Sequence, residues 1–204
     1  MKLEKQAMGA LPAFKSPSLA PFVACRMDIM GPYTVLAHKR KAPSHKVWAS
    51  CYVCFSSKAC VFFLSSGYAA EDFLKAHNRF CNSYDTPSLC VVDHGINILA
   101  TAFKPDWQQV SEAVGMAVTT WLVTPKATPW RAGQAERHNG LCKQILHRLL
   151  EGKAFSGTFE DMKVLLARCG WIINSRPLCI GSFRPLLAFF LTSQRTKVLD
   201  GCSF

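Results

Sequence analysis

Short apolar runs, each bounded by polar or turn-forming residues, recur along the chain and predict β-strands. The predicted strands are residues 22–30, 46–55, 59–65, 88–93 and 118–124. The second and third runs are separated only by Ser-Ser-Lys, which is typical of a hairpin, so the chain is expected to open with antiparallel strands. The tripeptide Gly-Pro-Tyr after the first run predicts the end of that strand.

Helical spacing of apolar residues replaces this pattern in four later segments. The predicted helices are residues 69–81, 106–117, a segment beginning near 132, and 159–174. On the third helix, a stripe predicted to be buried consists of Leu141, Ile145 and Leu149. A polar ridge on another face of that helix consists of Glu136, Asn139, Lys143 and His147.

The order of these elements predicts an α/β fold. Late strands that alternate with helices indicate parallel pairing through helical crossovers, whereas the opening strands indicate antiparallel pairing. We therefore expect a mixed five-stranded sheet flanked by helices. The Pro- and Ser-rich residues 1–20 are interpreted as a linker or arm, residues 21–178 as the core domain, and residues 179–204 as an irregular tail.

Composition narrows the expected partners. The 204-residue chain carries a net charge of +11, which favours a polyanionic partner such as nucleic acid. Its ten cysteines lack the regular spacing of a disulfide framework, so a reduced, intracellular setting is expected. Buried thiols are the favoured interpretation of the pair Cys51 and Cys54. No apolar run is long enough to predict a membrane span.

Three carboxylates stand out as candidates for chemistry. Asp28 lies inside an apolar strand, Asp93 ends another, and Glu136 lies near the start of the third helix. A carboxylate in such a strand is costly unless its charge is compensated, and divalent magnesium or manganese compensates it through oxygen ligands. An alternative interpretation makes each acid a capped or salt-bridged surface group, and the polar ridge a solvated face.

Four segments in order resemble the integrase catalytic core of retroelements, and most closely that of Bel/Pao long-terminal-repeat retrotransposons. The segments are CRMDIMGPY, VVDHGIN, TPKATPWRAGQAERHNGLCKQIL and INSRPL. The resemblance covers nearly the whole chain, and it includes the N-terminal segment, which is similar to the linker that follows the zinc-binding domain in that class.

The resemblance implies an RNase H-like fold and a metal-dependent polynucleotidyl transferase that processes DNA 3′ ends and transfers strands. It implies that Asp28, Asp93 and Glu136 hold two Mg²⁺ or Mn²⁺ ions. The residues expected to contact DNA are Asn139, Lys143, Arg131, Arg137 and Trp130. Element ends and target DNA are the expected partners, with self-association into a homo-oligomer. The segment HKRK at residues 38–41 adds a weak indication of nuclear import.

Departures from the family pattern support a second hypothesis. His94 replaces a small polar residue, Ile98 stands where an aromatic is common, and AGQAER replaces paired glycines and an aromatic before the glutamate. The chain also begins after the position of the zinc-binding domain and stops soon after INSRPL. A truncated or relic copy is therefore expected, and the alternative function is an inactive module that binds nucleic acid or protein. An RNase H-type nuclease is disfavoured because no fourth acid falls at a fitting position.

The histidines and tryptophans have simpler interpretations. His77 is expected to be half-buried on a helix face, and His138 and His147 are expected to be exposed. Core positions are predicted for Trp107, Trp121 and Trp171.

Overall fold

A computed structural model describes residues 20–37, 43–93, 119–124 and 129–176, with the backbone alone at Ala70 and at 129–135. Its strands are β1 (Ala24–Leu36), β2 (Ser44–Cys54), β3 (Cys60–Ser65), β4 (Leu89–Val92) and β5 (Thr120–Val123). Its helices are α1 (Ala70–Tyr84), α2 (Pro129–Leu149) and α3 (Phe159–Asn174). The predicted helix at 106–117, the arm, and the tail beyond 176 lie outside the described residues, so the domain limits remain predictions.

The strands form one mixed sheet in the order β3-β2-β1-β4-β5. β1, β2 and β3 pair antiparallel, while β4 pairs parallel to β1 and β5 parallel to β4. This arrangement confirms the predicted α/β fold with its antiparallel opening and later parallel strands.

The predicted end of β1 was wrong. The strand continues past Gly31 and Pro32 to Leu36, with a shift of register between Met30 and Tyr33. A bulge of this kind admits a proline, which cannot donate to the ladder. Gly31 adopts φ +134°, and a Cβ there would lie 3.1 Å from the Val47 carbonyl oxygen. Gly31 therefore allows β1 to continue through the bulge and to remain paired with β2.

Side chains alternate between the two faces of the sheet, and each face packs against its own helices. Cys25 and Met27 of β1 lie in the core that includes Phe73 and Phe80 of α1. The opposite face packs against α2 and α3, through buried side chains that include Cys142, Leu146, Met162, Leu166 and Cys169. By the same alternation, Arg26 and Asp28 point to the side of α2.

The described cysteines are all free thiols, and Cys51 and Cys54 are both buried. No helix in the described ranges is long and apolar enough to cross a membrane.

Candidate metal and nucleic-acid site

The parallel pairing of β1 with β4 brings two of the predicted acids together. Their register runs from Ala24 opposite Leu89 to Met27 opposite Val92. The next step of that register places Asp28 level with Asp93, at the carboxyl end of β4. Sites in sheets of this kind commonly lie at the carboxyl ends of parallel strands.

Asp28 is held by two donors. The backbone N–H of Ile29 donates to its Oδ1 at 2.8 Å, and the Asn139 side-chain amide donates to its Oδ2 at 2.6 Å. Burial raises the pKa of the Asp28 carboxyl above its ordinary value. The negative charges of Asp93 and Glu136 raise that pKa further, while the Ile29 N–H and the Arg26 guanidinium lower it.

Asp93 is fixed by two neighbours that the sequence interpretation did not include. The guanidinium of Arg26 pairs with its Oδ1, and the Thr124 hydroxyl donates to the same oxygen at 3.0 Å. The side chain of Asp93 is 37% exposed, whereas that of Arg26 is 2% exposed. Arg26 could have been found from the sequence, because it is a charged residue in an apolar strand and lies two positions before Asp28, on the same face.

Glu136 lies on α2 with its side chain exposed. Its charge is the smallest of the effects on the pKa of Asp28, so it lies within electrostatic range of that carboxylate without being its main influence. The structure therefore brings Asp28 and Asp93 side by side, while Glu136 is exposed to solvent at the edge of the candidate site.

The prediction of which face of α2 is buried was wrong: the buried face is displaced by about one residue along the sequence from the predicted stripe. From residue 136 onwards, where its side chains are described, the buried ones are His138, Asn139, Cys142 and Leu146. Leu149 is 36% exposed, and the ring of His138, which was expected in solvent, approaches the Lys58 carbonyl oxygen at 3.2 Å. The apolar spacing of the sequence did not reveal that the helix buries an amide against a carboxylate of β1.

Asn139 is the residue that links α2 to the aspartates. It is 7% exposed, and its amide nitrogen contacts Asp28. Its Oδ1 is buried without a hydrogen-bond partner in the described part of the chain. A buried oxygen with no donor is costly, and it is also a possible ligand for a cation.

The predicted DNA contacts fall into three groups, and the first is Asn139, which is buried beside Asp28. Arg137 and Lys143 are exposed on α2. Trp130 and Arg131 belong to the first turn of α2, where only the backbone is described.

The donor chemistry of this site fits a hard divalent cation. Carboxylate and amide oxygens are the ligands that Mg²⁺ and Mn²⁺ prefer. Within the described ranges, however, no three His, Cys, Asp or Glu side chains are grouped so that they could hold a metal ion as they stand. Asp93 is already paired with Arg26, and Glu136 extends into solvent.

Solved structures with a similar fold include retroviral integrase cores. A chain of the simian T-cell lymphotropic virus intasome in complex with PP2A regulatory subunit B56 gamma aligns with a TM-score of 0.60 at 15% identity. The alignment covers 85% of this chain and 55% of that one, so this chain spans about half the length of that relative.

Two structures of the HTLV-2 integrase catalytic core domain in complex with magnesium are also similar. The dimeric form has a TM-score of 0.54 at 15% identity and covers 84% of this chain and 98% of its own. The trimeric form has a TM-score of 0.53 at 14% identity, with 83% and 97% covered. These alignments show that the chain has the same RNase H-like fold as those integrase cores.

At the level of sequence, no protein-family model matches the chain, and no curated protein is significantly similar to it.

Proposed function

We propose that this chain is the catalytic core of an integrase from a Bel/Pao-type retrotransposon, a metal-dependent enzyme that joins DNA strands. The observation that carries the proposal is the parallel register of β1 and β4, which ends with Met27 opposite Val92 and so brings Asp28 level with Asp93 at the next step. The influence of Glu136 on the pKa of Asp28 supports a third carboxylate within range. The likeness to integrase cores supports the same activity through the fold alone.

In this proposal, Asp28, Asp93 and Glu136 hold two Mg²⁺ or Mn²⁺ ions. Such ions activate an attacking oxygen and stabilise a leaving oxygen at a phosphate. The chain itself supplies orientation: Asn139 and the Ile29 N–H fix the carboxylate of Asp28, and Thr124 fixes that of Asp93. Water would be the attacking group in end processing, and a DNA 3′ hydroxyl in strand transfer.

The basic surface would position the DNA. Arg137 and Lys143 extend from the same helix as Glu136, where they would offset phosphate charge near the carboxylates. Arg131 and Trp130 precede them on α2 and are proposed as further contacts. DNA as substrate implies a nuclear location, which agrees with the basic segment at 38–41.

We also propose self-association through the face formed by β3, α1 and α3. β3 lies at one edge of the described sheet, beside a groove of about 520 Å³ lined by residues of all three elements. Val164 and Trp171 of α3 are 68% and 57% exposed, which corrects the prediction of a core position for Trp171. They lie seven residues apart, so they share one side of the helix. Exposed apolar residues on one surface are typical of an interface.

In the second candidate function, the chain has the same fold but does not catalyse DNA cleavage or joining. The pairing of Asp93 with Arg26 and the exposure of Glu136 leave no ready cation site among the described side chains. These observations favour a module that binds DNA through its charge alone.

A disintegration assay separates the two functions. The chain is incubated with a branched DNA substrate and Mn²⁺, and it is compared with Glu136→Gln and with Glu151→Gln. Glu151 is an exposed glutamate beyond the end of α2 that pairs with Lys153, so it is a matched control. We expect product from the unsubstituted chain and from the control, and none from Glu136→Gln. Salt-sensitive DNA binding without product from any chain would establish the binding module.

A further inference from the structure

Arg26 is a charged side chain in the interior of the sheet. It lies on β1 opposite Val53 of β2 and Val91 of β4, between two strands rather than at an edge. Its side chain is 2% exposed. A buried guanidinium is tolerated only where an anion compensates it.

The compensating anion is Asp93. Asp93 follows β4 by one residue. Its Oδ1 forms an ion pair with the guanidinium of Arg26 and accepts a hydrogen bond from the Thr124 hydroxyl. Arg26 also lies on the same face of β1 as Asp28, two residues before it. The positive charge of the buried Arg26 therefore lies in the sheet beside Asp28 and Asp93.

We propose that Arg26 is an internal counter-cation that occupies Asp93 and competes with a divalent metal ion for that carboxylate. The inference rests on the proposed function in one respect, namely that Asp93 is a metal ligand. A metal ion near Asp93 would lie close to a fixed positive charge, and the repulsion weakens binding because the Arg26 side chain is buried and its charge is poorly screened by water. A metal ion that binds Asp93 through Oδ1 would require the guanidinium to leave that oxygen.

The test is a metal-binding measurement without DNA. Mn²⁺ is titrated into the chain, into Arg26→Gln and into Arg168→Gln, and free Mn²⁺ is followed by electron paramagnetic resonance. Arg168 is an exposed arginine of α3, so its substitution removes the same charge at a distance from the aspartates. We expect Arg26→Gln to lower the Kd for Mn²⁺ about tenfold or more, and Arg168→Gln to change it less than about twofold.

An unchanged or higher Kd in folded Arg26→Gln would overturn the proposal, because the arginine would then be neutral to metal binding or would position Asp93 for it. Circular dichroism establishes whether that variant folds. If it does not, the Nε–H signal of Arg26 is followed by NMR in the unsubstituted chain during a Mg²⁺ titration into the millimolar range. A signal that moves with added Mg²⁺ supports displacement, and one that stays at its metal-free position overturns it.

The two hypotheses fail separately. A tighter Kd in Arg26→Gln with no strand joining by any chain would support the counter-cation and refute the proposed activity. Strand joining that is lost in Glu136→Gln, combined with equal Kd values in the two arginine variants, would support the proposed activity and refute the counter-cation.

Discussion

At the scale of single residues, the hydrogen bond from the Asn139 amide to the Asp28 carboxylate connects α2 to the candidate site. It joins α2 to β1 at 2.6 Å, and it places a donor on a carboxylate whose pKa is raised by burial. The amide therefore favours the charged form that a metal ligand needs. The same side chain also carries a buried Oδ1 that has no hydrogen-bond partner among the described residues, which is costly.

Replacing Asn139 with alanine tests this role. Loss of the donor should raise the pKa of Asp28 further, which carbon-13 NMR of the carboxyl group measures directly. The free energy of unfolding should change by less than about 1.5 kcal/mol, because the substitution also removes an unsatisfied buried oxygen. Asn78→Ala, on the exposed surface of α1, is the control. A pKa of Asp28 that stays constant would show that the amide has no influence on its charge.

His77 gives a pH-dependent prediction of its own. It is 7% exposed, its Nδ1 lies 3.1 Å from the Tyr52 hydroxyl, and burial lowers its pKa to about 4 from 6.5. The folded chain therefore binds fewer protons at this ring than the unfolded chain between those two values, so stability falls as the pH is lowered from 6.5 towards 4. The loss should be about 3 kcal/mol.

Urea unfolding at pH 7 and pH 4 measures this effect. His77→Gln should lose less stability on acidification than the unsubstituted chain, while His147→Gln, at an exposed position of α2, should lose the full amount. Equal acid sensitivity in His77→Gln and the unsubstituted chain would mean that the ring is not the group responsible.

At the scale of elements, α3 shows how a sequence signal sets a boundary. Its predicted range, 159–174, agrees with Phe159–Asn174. Thr158 and Asp161 form a capping box, in which the Asp161 N–H donates to the threonine hydroxyl and the Thr158 N–H donates to the Asp161 carboxylate. These bonds satisfy donors that the first turn of a helix leaves unpaired.

The cap predicts a cost for Thr158→Ala. Removing the hydroxyl should lower the free energy of unfolding by about 1 kcal/mol, since one N-terminal donor of α3 loses its acceptor. Thermal or urea denaturation measures the change, and Ser156→Ala, at an exposed position two residues earlier, should have little effect. Equal stabilities for the two variants would argue against the cap.

At the scale of the whole molecule, the proposed self-association would use the apolar side of α3 and the edge of the described sheet at β3. A stable interface needs about 800 Å² from each partner, and large exposed side chains near its centre contribute most. Val164 lines the groove beside β3, and Trp171 is exposed seven residues further along α3. Their exposure costs the monomer little, but their burial against a second copy would be favourable.

Val164→Glu should therefore convert an oligomer into a monomer without unfolding it. Size-exclusion chromatography with light scattering measures the mass of the unsubstituted chain, of this variant and of Leu122→Glu. Leu122 is 47% exposed on β5, at the opposite end of the described sheet from β3, and its substitution should leave the mass unchanged. A monomeric unsubstituted chain, or a Val164→Glu variant that retains the oligomer mass, would contradict the proposed face.

The strands and helices of the described ranges could be predicted because local patterns suffice for them. Apolar runs located β1 to β5, and periodicity located α1 and α3 within a few residues. The predictions that failed concern the end of β1 and the burial of side chains on α2 and α3. The continuation of β1 depends on a bulge paired with β2, and the buried face of α2 depends on a partner far away in sequence.

The sequence by itself determined the α/β class, the order of the strands and helices, the net charge and the choice of Asp28, Asp93 and Glu136 as candidates, because each follows from residue type and spacing. Only the tertiary structure decided which of those candidates meet. The parallel register of β1 and β4 brought Asp28 level with Asp93, and the rotation of α2 buried Asn139 beside them. The tertiary structure also paired the guanidinium of Arg26 with the carboxylate of Asp93. Such contacts join residues more than sixty positions apart, and no local pattern contains their geometry.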